Sequence, residues 1–259
     1  MRRLGRWLVL LVLCAVALQG VFALRIALMR FVDPESTTFQ RSEIWRLATE
    51  RHEVLWSQHW QPYERIAATL KRAVIASEDA SFTDHGGVDW EAIEKAWERN
   101  QRAEARAEKL QAQLESQQQQ RRAANARPAP PRPAPVAKIV GGSTISQQLA
   151  KNLFLSGERS LARKGQEFVI TFMLEALLDK ERILAIYLNN VEWGEGVFGA
   201  QAASRHYFRV DADQLGAMQA ARLAVMLPAP KRFEKRPGSA YVSGRAATIV
   251  SRMSAVELP

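Results

Sequence analysis

The chain has 259 residues, 47% of them apolar and 24% charged, the balance of a folded chain rather than a disordered one. Its formal charge is +9, but residues 1–30 carry +5 and residues 99–138 carry +6, which leaves −2 for the rest. The body is therefore no broad basic platform for nucleic acid, and a lone cysteine, Cys14, excludes a disulfide scaffold or a zinc site built from cysteines.

In chain order, the first element follows Arg2, Arg3 and Arg6. Residues 7–24 carry no charge and are interrupted only by Gln19 and Gly20. Eighteen residues at 1.5 Å each span roughly 27 Å, enough to cross a hydrocarbon core. The arginines stay on the cytoplasmic side and the body lies outside. A cleaved signal peptide ending at Ala15-Val16-Ala17 is the competing reading. It would leave the largely apolar residues 18–31 at a new terminus, so a transmembrane anchor is preferred. Residues 25–60 then form a membrane-proximal connection, and residues 61–259 the body.

Pro62 is expected to open the first body helix, with Tyr63, Ile66, Leu70, Ala73, Val74 and Ser77 on one face. Trp90, Ile93 and Trp97 mark a second helix that runs on, with a weakening stripe, into residues 99–138. This is a low-complexity Gln/Ala/Pro/Arg insertion holding five of the eleven prolines. It reads as a helix that outruns its core and hands over to polyproline II. Thr144 and Gln147 form a capping-box pattern for a helix reaching about Leu155, and Ser160 caps the next. That next helix is expected to bury Leu161, Phe168, Val169, Phe172, Met173, Ala176 and Leu177. Residues 180–190 form another helix with Ile183, Leu184 and Tyr187 inward. Gly194, Gly196 and Gly199 mark a loop, and residues 217–227 are apolar enough for core. No alternating strand is convincing, so the body is expected to be mainly α.

Two groups of residues invite chemistry. Glu78 and Asp79 end a helix, where carboxylates oppose the macrodipole at a cost of a few tenths to ~1 kcal/mol. A costly carboxylate pair beside Phe82, His85 and a glycine turn is a candidate general base; a solvated helix end is the plainer reading. The second group is cationic: Lys151, Arg159, Arg163 and Lys164 lie within fourteen residues, near a capped helix start that itself attracts anions. Arg163 and Glu167 stand four apart, which alone would be an ordinary helical ion pair.

Five stretches occur in order: Glu78-Asp79-Ala-Ser-Phe82-Thr-Asp-His85-Gly86, Gly142-Ser-Thr-Ile-Ser-Gln-Gln148-Leu-Ala-Lys151-Asn152, Arg163-Lys164-Gly-Gln-Glu167, Lys180-Glu-Arg-Ile-Leu-Ala-Ile-Tyr187-Leu-Asn189 and Arg222-Leu-Ala-Val-Met-Leu-Pro228. This succession resembles the signature motifs of the bacterial peptidoglycan glycosyltransferases, glycosyltransferase family 51, over about residues 60–98 and 139–235. The short chain with one anchor resembles the family's monofunctional members. The Ser-x-x-Lys and Lys-Thr-Gly motifs of a penicillin-binding transpeptidase do not occur in it.

The resemblance implies a lysozyme-like helical body with a small membrane-associated jaw, anchored in the inner membrane and facing the periplasm. It implies lipid II and a growing glycan strand as substrates, inner-membrane lipids and other wall-synthesis proteins as partners, and no nucleic acid. It implies Glu78 as the general base and Glu167 as the second carboxylate. Lys151, Arg159 and Lys164 would contact the donor phosphates, with Arg163, Thr144, Gln147, Gln148 and Asn152 as further binding residues and Asp79, Phe82 and His85 in support. No metal-ligand cluster and no required cofactor are expected, although a divalent ion such as Mg or Mn could bridge the pyrophosphate. The 99–138 insertion departs from the family pattern without touching its motifs. The alternatives are a non-catalytic membrane scaffold of wall synthesis and a lysozyme-like lytic enzyme.

Overall fold

The structure, a computed structural model, describes residues 2–123, 141–155, 157–158 and 160–259. The N-terminal helix α1 covers Arg2–Leu28. Its residues 5–28 form one apolar stretch long enough to cross a bilayer with a modest tilt. This is a single N-terminal helix suited to anchor the chain in a membrane, four residues longer at its C-terminal end than the charge-free run alone suggests. That end does not stop at the anchor. Ile26 and Met29 are buried in the body's core, Phe22 meets Phe154 edge-on at 5.3 Å, and Arg25 lies over the same ring.

Residues 25–60 carry structure of their own. Helix α2, Thr38–Arg46, opens with a capping box in which the Thr37 side chain accepts from the Gln40 backbone and Gln40 answers to the Thr37 backbone. A strand, β1 (Ser57–Gln58), follows. Pro62 then starts a single 3-10 turn, Tyr63–Arg65, and not the helix expected there. The α-helix begins only at α3, Ala68–Glu78. Ile66, Leu70, Ala73 and Val74 are buried as read, while Ser77 is exposed.

The remaining elements of this unit are α5 (Ile145–Phe154), α6 (Leu161–Leu177), α7 (Lys180–Asn190), β2 (Glu192–Gly194), β3 (Val197–Phe198), α8 (Ala200–Phe208), α9 (Ala217–Met226), α10 (Pro230–Phe233) and α11 (Ala240–Met253). Helices α3, α9 and α11 pack on one another, and α5 packs on α2, α6 and α7. Between them lies a core of Leu70, Val74, Ile145, Tyr187 and Leu223, each fully buried. Burial of such side chains contributes about 1.5–3 kcal/mol each. Trp193, also fully buried, gives its indole N–H to the Leu223 carbonyl at 3.1 Å.

The strands missed by the sequence reading form one small sheet in the order β1-β3-β2. Ser57 and Gln58 pair in parallel with Val197 and Phe198, and β2 returns antiparallel to β3. With two or three residues each, these strands are too short to show an alternating pattern. Gly196 turns the hairpin at φ +73°, and a Cβ there would strike the Leu55 carbonyl. Thus what reads as a glycine loop is a hairpin closed over by the β1 segment.

Helix α6 forms where expected, capped by Ser160, but the buried face is a different one. Glu167, Ile170, Thr171 and Leu174 point inward. Leu161, Val169 and Phe172, assigned to the core from their spacing, are 93%, 41% and 48% exposed. The helix is apolar on two faces, so periodicity alone selects neither. The side that packs carries a charge and a hydroxyl.

Residues 89–143 form a separate compact unit. It consists mainly of α4, Trp90–Ala123, a 34-residue helix of roughly 50 Å that passes residue 98 without a break. Trp90 and Trp97 are exposed on it. Ala96 is buried, with Gly142 of the same unit close against the Ile93 backbone and the Ala96 side chain. The polyproline expectation falls on residues outside those described.

Candidate active site

Glu78 is the last residue of α3, so its side chain leaves the helix where the backbone ends. Its Oε2 accepts a 3.0 Å hydrogen bond from Nε2 of Gln148, one turn into α5. The Gln148 amide is itself oriented by the buried Tyr187, whose hydroxyl donates to Gln148 Oε1 at 2.9 Å. Three motif residues from three helices thus form one chain ending on the Glu78 carboxylate. Loss of solvation pushes the Glu78 pKa above the usual carboxylate value and the negative Asp79 adds to it; the bonds from Gln148 and Ser77 pull the other way.

Asp79 turns inward and is almost wholly buried. Its Oδ2 accepts from the Ile145 backbone at 3.0 Å, the free N-terminus of α5, where a carboxylate is favoured. Its Oδ1 lies 2.8 Å from Nε2 of His85. Nδ1 of His85 accepts from the Gly87 backbone at 3.1 Å, so the proton belongs on Nε2, directed at Asp79. Gly87 sits at φ +90°, with Thr171 and Glu175 of α6 within 2.8 Å of any added Cβ; only glycine lets the loop lie there. Phe82 is fully buried beneath Lys180, whose ammonium stands 4.5 Å from the ring and donates to the His85 carbonyl at 2.6 Å. These three residues hold the turn that aims Glu78.

Thr144 and Gln147 are buried and bond each other as the capping box of α5, which leaves the Gln147 Nε2 without a hydrogen-bond partner. The Thr144 hydroxyl also donates to the Gly87 carbonyl at 2.6 Å. Both fix the helix from which Gln148, Lys151 and Asn152 project.

Glu167 is buried between two cations of its own helix. Arg163 bonds its Oε2 at 3.0 Å and Lys164 bonds its Oε1. This is more than the exposed helical pair that its spacing suggests, because a buried carboxylate requires such compensation. The pair does not consume Arg163: its Nε is buried without a hydrogen-bond partner. Lys151 is exposed at the rim, yet the surrounding protein lowers its pKa through desolvation, helped by Arg163 and Lys164 and opposed by Glu167. The cationic group therefore converges in space. Arg159 lies outside the described residues.

A cavity of about 410 Å³ opens here. Gln148, Lys151, Asn152 and Arg163 line it, joined by residues the sequence reading passed over, among them Phe39, Glu158, Glu192 and Leu227. Their signal was faint, since Phe39 comes from a segment read as a connection and Glu192 from one read as a loop. The arrangement offers a desolvated carboxylate with a raised proton affinity, and a pocket with free cationic donors that suits phosphate oxygens. Among the described residues no group of three or more His, Cys, Asp or Glu is placed to hold a metal ion.

The family described as Transglycosylase matches residues 47–124 and 135–254. Similar proteins span nearly the whole chain. A biosynthetic peptidoglycan transglycosylase of Burkholderia pseudomallei (strain K96243) is 48% identical over 98% of this chain and 84% of the relative. One from Burkholderia multivorans (strain ATCC 17616 / 249) is 48% identical over 94% and 86%. One from Paraburkholderia xenovorans (strain LB400) is 47% identical over 94% and 88%. With a mainly helical body, a family match over most of its length and relatives of this similarity, the chain belongs to the transglycosylase family.

Proposed function

We propose that this chain polymerises lipid II, a disaccharide-peptide on a polyprenyl pyrophosphate, into linear glycan strands of peptidoglycan. The observation that supports it best is that Gln148, which holds the Glu78 carboxylate and is itself held by Tyr187, lines one cavity with Lys151 and Arg163.

In this reading Glu78 accepts the proton of the acceptor sugar's 4-hydroxyl as that oxygen attacks C1 of the donor. A C–O bond forms to C1 while the bond from C1 to the phosphate oxygen breaks, with inversion. The pyrophosphate leaves with the electron pair, and Lys151, Arg163, Lys164 and Arg159 stabilise its charge. Glu167 keeps Arg163 and Lys164 in place. The lytic alternative has no use for a phosphate pocket, and a scaffold has none for a base of raised pKa.

In the same reading α1 spans the bacterial inner membrane once, with Arg2, Arg3 and Arg6 in the cytoplasm and the body in the periplasm. The test is incubation of the membrane-bound protein with lipid II and sizing of the product. Long glycan with release of polyprenyl pyrophosphate is expected. Muropeptides released from finished wall, with no polymer from lipid II, would overturn the reading.

A further inference from the structure

Glu192 opens β2 beside the cleft and takes no part in the mechanism above. Its side chain is 7% exposed, its Oε1 has no hydrogen-bond partner, and it lines the same cavity as Gln148, Lys151 and Arg163. Lys231 of α10 makes an ion pair with that oxygen at 3.6 Å, beyond hydrogen-bond distance, and is shared with Glu43 of α2. A buried carboxyl oxygen short of a hydrogen bond, on the wall of a ligand cavity, is suited to a partner that arrives with the ligand.

We propose that Glu192 is a substrate-binding residue of this cleft, its carboxyl group donating a hydrogen bond to an oxygen of the lipid-linked sugar diphosphate. The proposal rests on the function given above. The protonated form is the one that fits. Burial pushes the Glu192 carboxyl up to about 7, with Glu43 and Glu234 adding to the effect and Lys231 opposing it. Lys151, Arg163 and Glu158 are the charged groups that share its cavity. A diphosphate entering the cleft brings further negative charge, which favours the neutral acid. By linkage, the substrate then binds better to the protonated protein, so affinity falls as pH rises through 7.

The test compares wild type, Glu192→Gln and Glu192→Ala between pH 6 and pH 8. The readouts are KM for lipid II and equilibrium binding of a lipid-linked disaccharide blocked at its 4-hydroxyl. The glutamine amide is a neutral donor, so Glu192→Gln should hold at pH 8 the affinity that wild type has at pH 6. Wild type should weaken over that range by several-fold. Glu192→Ala should bind roughly tenfold worse at pH 6. Parallel pH curves for wild type and Glu192→Gln would overturn the proposal, as would unchanged binding by a folded Glu192→Ala. A stabilising pair with Lys231 alone would move the melting temperature and leave the pH dependence of binding in place, which also overturns it. Should wild type bind the blocked donor but make no glycan, the function fails and the binding comparison still decides the role of Glu192.

Discussion

Glu78 and Lys151 have pKa values displaced in opposite directions, and each displacement makes a prediction. Glu78 works as a base only when ionised, so turnover should rise with pH through its raised value, above the usual carboxylate range. Glu78→Gln keeps the shape and the Gln148 contact but removes the basicity. It should cost at least ~100-fold in turnover and abolish that acid limb, while binding of a blocked donor survives. A pH–rate profile with near wild-type turnover in this variant would move the base to another residue. Lys151 is the converse case. Its lowered pKa means that it begins to lose charge below the usual lysine range as pH rises, so donor binding should weaken on the alkaline side. Lys151→Ala should raise KM roughly tenfold or more, consistent with about 1.5–3 kcal/mol for a charge-assisted bond, and should flatten that limb. Loss of kcat with an unchanged KM would remove Lys151 from the donor pocket. The sequence carried these residues as types, but their partners were not legible. That Tyr187 steers Gln148 onto Glu78 depends on contacts across 39 and 70 positions, which no local spacing encodes.

At the scale of elements, the caps were readable because they are local chemistry. Thr144 with Gln147 and Ser160 with Arg163 act within one turn. The failures have a shared cause. Helix α6 offers two apolar faces, and the choice between them is made by α1 and α5, both of which it contacts. Its outward Leu161, Val169 and Phe172 make a surface that suits lipid better than water. The contact between α1 and α6 includes a reciprocal amide pair: Gln19 donates to Gln166 at 2.8 Å and Gln166 donates back at 2.9 Å. Gln19 is one of two interruptions in an otherwise apolar anchor, and this pair gives the exception a purpose. Polar pairs of this kind in apolar surroundings contribute about 0.6 kcal/mol, up to about 1.7. Gln19→Leu and Gln166→Leu should each lower the stability of the detergent-solubilised protein by roughly that amount. The double variant should lose less than the sum, because neither amide is then left unpaired. Strict additivity in thermal unfolding would show that the two amides do not act as a pair.

For the whole molecule, the described residues divide into two compact units. The unit made of residues 1–88 and 144–259 contains Glu78, Lys151, Glu167 and the cavity. Residues 89–143 form the other unit, and within α4 the residues beyond Glu98 are mostly exposed, with Ala103, Ala107, Gln111 and Leu114 only half-buried. Composition leads to the expectation of an excursion here, since glutamine and proline runs cannot build a core. It did not announce how far the helix would persist, because arginine, glutamate, alanine and glutamine all favour helix without any core to bury. The consequence for stability follows from loop entropy, which changes by only about 0.6 kcal/mol for each doubling of length. Removing residues 99–137 and joining Glu98 to Lys138 through a short glycine-serine linker shortens the connection severalfold. That should alter the closure cost by about 1–2 kcal/mol in the favourable direction, while no large buried apolar surface is lost from α4's outer half. The shortened protein should therefore melt within a few degrees of the full chain, and its turnover of lipid II in detergent should stay within about twofold. A fall in melting temperature of ten degrees or more would mean that the excursion packs on the catalytic unit and helps to hold it. In that case the insertion would have to be counted as part of the enzyme's core architecture.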